Sequence, residues 1–139
     1  MPYLKVWIHM VWSTKRRAPV LSKKLRPKLF CHIEENAEKK EIHLEAINGY
    51  YDHVHCLIRL GSKHSLSEVA QLLKGESSFW INREELTPEK FEWQREYYAA
   101  SVSEDDLHRV RTYIRNQERH HQNLSLEKEL EALFDVVEE

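Results

Sequence analysis

Residues 49–60, Gly-Tyr-Tyr-Asp-His-Val-His-Cys-Leu-Ile-Arg-Leu, constrain the fold more than any other stretch. From His53 onward the run is strand-like, and a glycine-led reversal precedes it. Side chains alternate across a β-strand, which sends Val54, Cys56 and Ile58 to one face and His53 and His55 together to the other. Ile42 to Gly49 reads as a second strand, and the reversal at Gly49 to Asp52 makes the two antiparallel. Two imidazoles fixed on one strand face either bond to backbone groups inside a core or grip one metal ion, since imidazole is the commonest protein metal ligand. Their spacing alone leaves both readings open.

The rest of the chain builds a sheet around this hairpin. Residues 3–13 alternate, with Leu4, Val6, Ile8, Met10 and Trp12 on one face and Lys5, Trp7, His9 and Val11 on the other, which predicts a first strand. Ser13 to Pro19 is a basic, turn-forming loop. Ser22 then caps a helix running to about Lys40, with Leu25, Leu29, Ile33 and Ala37 as its core stripe and Pro27 near its start. Ser65 or Ser67 opens another helix, through Val69, Leu72, Leu73 and Phe79 or Trp80. Gly75 inside it costs about 1 kcal/mol against alanine, which a close packing partner, a passing nucleic-acid backbone or simple tolerance would explain. An irregular segment from Thr87 leads to a short strand near 97–102. Ser103-Glu104-Asp105-Asp106 reads as a capping box that starts a helix over about 103–121, and Ser125 caps a last helix over about 125–137. The order predicts one α+β domain over 1–139: a ferredoxin-like four-stranded antiparallel sheet with helices on one face and extra C-terminal helices.

Composition narrows the function. At 41% hydrophobic and 32% charged residues, the chain is an ordinary globular domain, neither disordered nor fibrous. No apolar run approaches the roughly 20 residues needed to span a bilayer, and Met1 to Trp12 lacks the pattern of a signal peptide, so a cytoplasmic protein with no membrane contact is expected. Cys31 and Cys56 are too far apart for a Cys-x-x-Cys motif and read as small core residues in a reducing compartment. The net charge of −2 argues against a simple nucleic-acid binder. Yet residues 1–40 hold ten Lys/Arg against three acids, a local excess of +7, and a positive end can hold a polyanion. Lys15, Arg16, Arg17 and Lys74 are the candidate phosphate contacts. Lys23, Lys24, Arg26 and Lys28 either share that role or solvate a helix face.

The chemistry centres on Tyr113-Ile114-Arg115-Asn116-Gln117. Tyr113 and Gln117 are four apart and project from one helix face. A tyrosine phenol can attack a phosphodiester, and a glutamine carbonyl can complete a metal site begun by two imidazoles. Such a site suits Mg²⁺ or Mn²⁺, with zinc the competing ion, although no cysteine or carboxylate is obviously placed to close a tetrahedral zinc site. Six ordered blocks then point the same way: Val11-Trp12-Ser13-Thr14-Lys15 with Arg17, Asp52-His53-Val54-His55, Leu73-Lys74-Gly75-Glu76-Ser77-Ser78, Phe91-Glu92-Trp93-Gln94, Ser101-Val102-Ser103, and Tyr113 to Gln117 with His120-His121 behind. In these the chain resembles the single-tyrosine HUH transposases of single-strand insertion sequences and their REP-associated relatives. It departs from them at Glu96-Tyr97-Tyr98-Ala99-Ala100, where relatives often have a glycine and a phenylalanine. The resemblance implies cleavage and rejoining of single-stranded DNA beside hairpins through a 5′-phosphotyrosine. It makes Tyr113 the nucleophile, His53 and His55 the metal ligands and Gln117 a further ligand. It also implies a homodimer, with the tyrosine helix of one chain against the histidines of the other. A relative that holds structured DNA or RNA without cutting it is the alternative, and a small metal-binding protein a third that leaves the basic loop unexplained.

Overall fold

The structure, a computed structural model, describes residues 3–121 and 124–134. Four strands form one sheet: β1 (Val6–Ser13), β2 (His43–Gly49), β3 (His53–Leu60) and β4 (Tyr98–Val102), in the spatial order β2-β3-β1-β4 with every neighbour antiparallel. β1 and β2 therefore run parallel with β3 between them, and β3 and β4 run parallel with β1 between them. Each parallel pair needs a crossover, supplied by α1 (Leu25–Lys39) and α2 (Leu66–Arg83). Two interleaved βαβ units of this kind make the ferredoxin-like arrangement expected from the sequence.

The alternation of β1 and β3 decides what each sheet face carries. Ile8, Met10, Trp12, Val54, Cys56 and Ile58 turn toward α1 and α2 and meet Leu25, Leu29 and Ile33 of the first and Val69, Leu73 and Ile81 of the second in the main core. The other face presents Trp7, His9, Val11, His53, His55 and Leu57. It is covered by the C-terminal helices α3 (Leu107–Arg115), α4 (Gln117–His120) and α5 (Leu126–Phe134), so the central strands are covered on both sides. Two apolar patches seat these helices. Leu107 and Ile114 of α3 pack on Trp7 and Leu57, while Leu126 and Leu130 of α5 pack on Val11 with Tyr98 beside them.

Local signals set the helix ends. The Ser22 hydroxyl accepts the Leu25 N–H at 3.1 Å, and Pro27 falls in the first turn, where its missing N–H costs no helical bond. Ser65 forms a reciprocal capping box with Glu68. The Ser103 box is not formed: that hydroxyl donates to Asp106, and a short 3₁₀ turn over Glu104–Asp106 precedes α3. The helix expected over 103–121 is also broken at Asn116. The side chain of Asn48, on β2, donates to the Arg115 carbonyl at 2.9 Å beside the break. The last helix is described only to Phe134, so the end expected near 137 lies outside the described residues.

Other expectations need correction. Cys31 is exposed and only Cys56 is a core residue, because residue 31 lies off the Leu25, Leu29, Ile33 stripe. Arg26 is buried rather than solvated. Its guanidinium donates to the Leu21 carbonyl at 3.1 Å and to Glu118 at 2.7 Å, tying α1 to α4. Gly75 has no close neighbour that an added Cβ would meet, so tolerance explains it.

Candidate active site

The two hydrophobic patches under α3 and α5 leave a polar gap between them on the sheet. His9, His53 and His55 fill it from below, and all three are buried. His53 and His55 share a face as their alternation predicts, and the C-terminal helices roof that face and leave both rings 0% exposed. Tyr113 comes down from α3, Gln117 from α4 and His121 from just after it. Tyr113, Gln117, His53 and His55 are brought together within one chain, with the Tyr113 and His55 ring centres 6.0 Å apart and the Gln117 Oε1 accepting from His53 Nε2 at 3.2 Å.

A residue the sequence reading passed over sits at the centre. Glu129 of α5 is fully buried, and its Oε1 lies 3.3 Å from His53 Nε2, 3.0 Å from His55 Nε2 and 2.9 Å from His121 Nε2. Its other oxygen, Oε2, accepts a short hydrogen bond from the Tyr113 hydroxyl. Burying a carboxylate costs several kcal/mol unless it is paired, and three imidazoles with one phenol supply the pairing. Leu126 and Leu130, each worth about 1.5–3 kcal/mol when buried, hold the helix that carries it.

Outward partners orient the rings. His53 Nδ1 donates to Asp52 Oδ1 at 2.7 Å, His55 Nδ1 lies 2.8 Å from His9 Nε2, and the Tyr50 ring stacks on His121 with centres 5.0 Å apart. These contacts set the charges. Burial disfavours the His53 imidazolium, but its bonds to Asp52 and Glu129 outweigh that and push its pKa up to about 9. Burial dominates at His9 and His55, which fall to about 4 and about 3 and stay neutral. At Glu129 burial would raise the pKa, yet the bonds from His121, His53 and His55 hold it well below the carboxylate range. Burial, then the bond to Glu129, raises the Tyr113 phenol, so it stays protonated.

The donor set fits a divalent metal. The ligand atoms of His53, His55, His121 and Glu129 all lie within 4.8 Å of one another, near enough for one ion to gather them. Gln117 Oε1 borders the same point through His53. The four expected phosphate contacts do not join this cluster. Lys15 pairs with Glu92 at 3.1 Å, Arg17 pairs with Glu127 of α5, and Arg16 is exposed on the same 3₁₀ turn, where it and Arg17 adopt left-handed φ angles of 58° and 53°. Lys74 is turned inward: its ammonium donates to the carbonyls of Gln94, Arg95 and Glu96 at 2.7, 3.0 and 3.2 Å, which uses all three of its N–H groups. Trp93 beside it donates to Ser77 at 2.9 Å, so the block 73–78 grips the segment leading into β4.

His9 and Asp52 also went unassigned. His9 was legible as the polar member of the β1 face that antiparallel pairing lays beside His55, and His121 stood in the motif block without a role. Glu129 carried no local signal.

The interleaved βαβ sheet, with a buried His-x-His pair on a central strand beneath a helix-borne tyrosine, belongs with the DNA transposases, and its histidine–glutamate group could hold a metal ion. The pattern of the family described as IS200-like transposase matches residues 3–117, and the chain belongs to that family. Among solved structures it is similar to a candidate transposase from Deinococcus radiodurans R1, at 26% identity and a TM-score of 0.64, over 84% of this chain and 95% of that one. It also shares its fold with a REP-associated tyrosine transposase bound to a REP hairpin, at 15% identity and a TM-score of 0.64, over 89% of this chain and 74% of that one. No curated protein matches its sequence. No helix among the described residues is long and apolar enough to cross a membrane.

Proposed function

We propose that this transposase cleaves and rejoins hairpin-containing single-stranded DNA through a 5′-phosphotyrosine on Tyr113. The observation that carries the reading is the meeting, inside one chain, of the Tyr113 phenol with the imidazoles of His53 and His55 and the amide of Gln117. The hairpin-bound relative of the same fold supports hairpin DNA as the substrate.

In the first step the Tyr113 oxygen bonds to the scissile phosphorus, the bond from phosphorus to the 3′ oxygen breaks, and a free 3′-hydroxyl leaves. The phenol proton departs as the new bond forms, toward Glu129, which already accepts the hydrogen bond from that hydroxyl, and the leaving 3′ oxygen takes up a proton in exchange. Rejoining runs in reverse: an incoming 3′-hydroxyl attacks the phosphotyrosine and Tyr113 leaves. One phosphodiester is exchanged for another, so no external energy is needed. A divalent ion held by His53 and His55, with Gln117 as a further ligand, would neutralise the charge that builds on the phosphate oxygens. Asp52 and His9 keep the two rings oriented for it. The basic turn of Lys15, Arg16 and Arg17 follows the end of β1 opposite His53, where a DNA backbone entering the site would pass.

The test incubates a labelled hairpin oligonucleotide with the protein and Mg²⁺ or Mn²⁺ and resolves the products on a denaturing gel. Wild type is expected to form a covalent adduct and a shortened strand. Tyr113→Phe is expected to bind the hairpin equally well and form no adduct. An adduct that persists in Tyr113→Phe overturns the assignment of the nucleophile. Binding without cleavage by the wild type, whichever ion is added, would replace the enzyme with a DNA-holding relative.

A further inference from the structure

We infer that His121 and Glu129 are metal ligands, and that with His53 and His55 they make a closed four-ligand site for a zinc-class ion. The inference rests on the reading of His53 and His55 as ligands but changes the coordination and the ion. Sequence reasoning placed two imidazoles and a glutamine amide on the metal, an open set suited to Mg²⁺ or Mn²⁺. The geometry instead gathers three imidazole nitrogens around one carboxylate oxygen, Glu129 Oε1, at 2.9–3.3 Å from each nitrogen, with all four ligand atoms within 4.8 Å of one another. Four ligands around an ion at about 2.0–2.1 Å stand roughly 3.4 Å apart when arranged as a tetrahedron, so an ion completes the site when Glu129 Oε1 draws back by a few tenths of an ångström and the wider separations among the four atoms close up.

Two further features separate this cluster from a chance meeting of polar groups. The side chains of His53, His55 and Glu129 are 0% exposed and that of His121 is 3% exposed, so water is shut out of the coordination sphere. Each ligand also has its own orienting partner: Asp52 for His53, His9 for His55, Tyr50 for His121 and the Tyr113 hydroxyl for the second oxygen of Glu129. Metal sites are built with such outer partners, which fix ring orientation. The ligand chemistry then selects the ion. Mg²⁺ demands about six oxygen ligands and keeps its waters, whereas this cluster offers one carboxylate oxygen, three imidazoles and no room for a hydration shell. A consequence for catalysis is that a scissile phosphate reaches an ion in this site only by taking the place of one of its four ligands.

The experiment strips the full-length protein with a chelator and titrates it, without DNA, with Zn²⁺, Co²⁺ and Mg²⁺ by calorimetry and visible absorption. The variants are His53→Ala, His121→Gln and Glu129→Gln, each checked for an intact metal-free fold by circular dichroism, with His121 the safer position because it lies at the edge of the cluster. Expected are the intense visible bands of four-coordinate Co²⁺, Zn²⁺ binding far tighter than Mg²⁺, and a loss of about tenfold or more in Zn²⁺ affinity in both His121→Gln and Glu129→Gln. Wild-type Zn²⁺ affinity in a folded His121→Gln or Glu129→Gln protein, or the weak spectrum of six-coordinate Co²⁺, overturns the closed site. If those two bind normally while His53→Ala does not, only the closed site fails and the metal reading of the histidine pair stands. If His53→Ala also binds as wild type does, both fail.

Discussion

Gly49 ties the fold to the site through one missing atom. A Cβ at this position would lie 2.2 Å from the His53 carbonyl oxygen and 3.1 Å from the Val54 Cα, where the β2–β3 hairpin closes. The obstacle is backbone, so the hairpin has to open for any larger residue to fit. Gly49→Ala is therefore expected to cost about 1–3 kcal/mol of stability. Because the displaced residue is His53, it should also weaken metal binding. Urea unfolding reads the first effect and metal titration the second; an unchanged unfolding midpoint would show that the hairpin yields freely. Elsewhere in the site single residues act through charge. The His53 imidazolium and the Glu129 carboxylate form a buried pair, while burial and then the bond to Glu129 hold Tyr113 as a phenol.

At the scale of elements, Lys74 changes from a presumed phosphate contact into a clamp. Its three hydrogen bonds join α2 to residues 94–96, the segment that delivers β4 to the edge of the sheet. Lys74→Met keeps the apolar stem and removes the donors. The expected loss is roughly 1–3 kcal/mol, since carbonyls bonded to a charged group lose partners that water only partly replaces. Urea unfolding measures it. The salt dependence of DNA binding should keep its slope, because a lost phosphate contact would flatten it by about 0.7 for single strands. A flattened slope with unchanged stability would return Lys74 to the DNA.

At the scale of the whole molecule, the path of the chain brings its own tyrosine beside its own histidines. After β4, α3 and α4 cross the sheet of their own chain and bring Tyr113 over His55, and α5 returns to lock that placement through Glu129. In this arrangement a chain brings its own tyrosine to its own histidines, whereas a shared site would bring the partner's. Mixing His53→Ala protein with Tyr113→Phe protein, with subunit exchange demonstrated by tag capture, is expected to restore no cleavage above that of either variant alone. A shared site would instead recover up to about a quarter of wild-type sites, since half the random pairs are mixed and each holds one sound composite site.

The sequence by itself determined what depends on local backbone geometry. Period-two alternation put His53 and His55 on one face and Val54, Cys56 and Ile58 on the other, and the four-residue spacing of Tyr113 and Gln117 survived even the break at Asn116. The order of strands and helices was enough for the ferredoxin-like sheet, since two βαβ crossovers and a hairpin leave few other ways to pair four strands. Only the tertiary structure decided which charged groups meet across long stretches of chain. In Leu126-Glu127-Lys128-Glu129-Leu130-Glu131 nothing local distinguishes the three acids, yet Glu127 pairs with Arg17, Glu131 faces solvent and Glu129 is buried against three histidines. The difference arises when the Leu126 and Leu130 face of α5 docks on Val11. That packing fixes the rotation of the helix, and the rotation selects the carboxylate that enters the site.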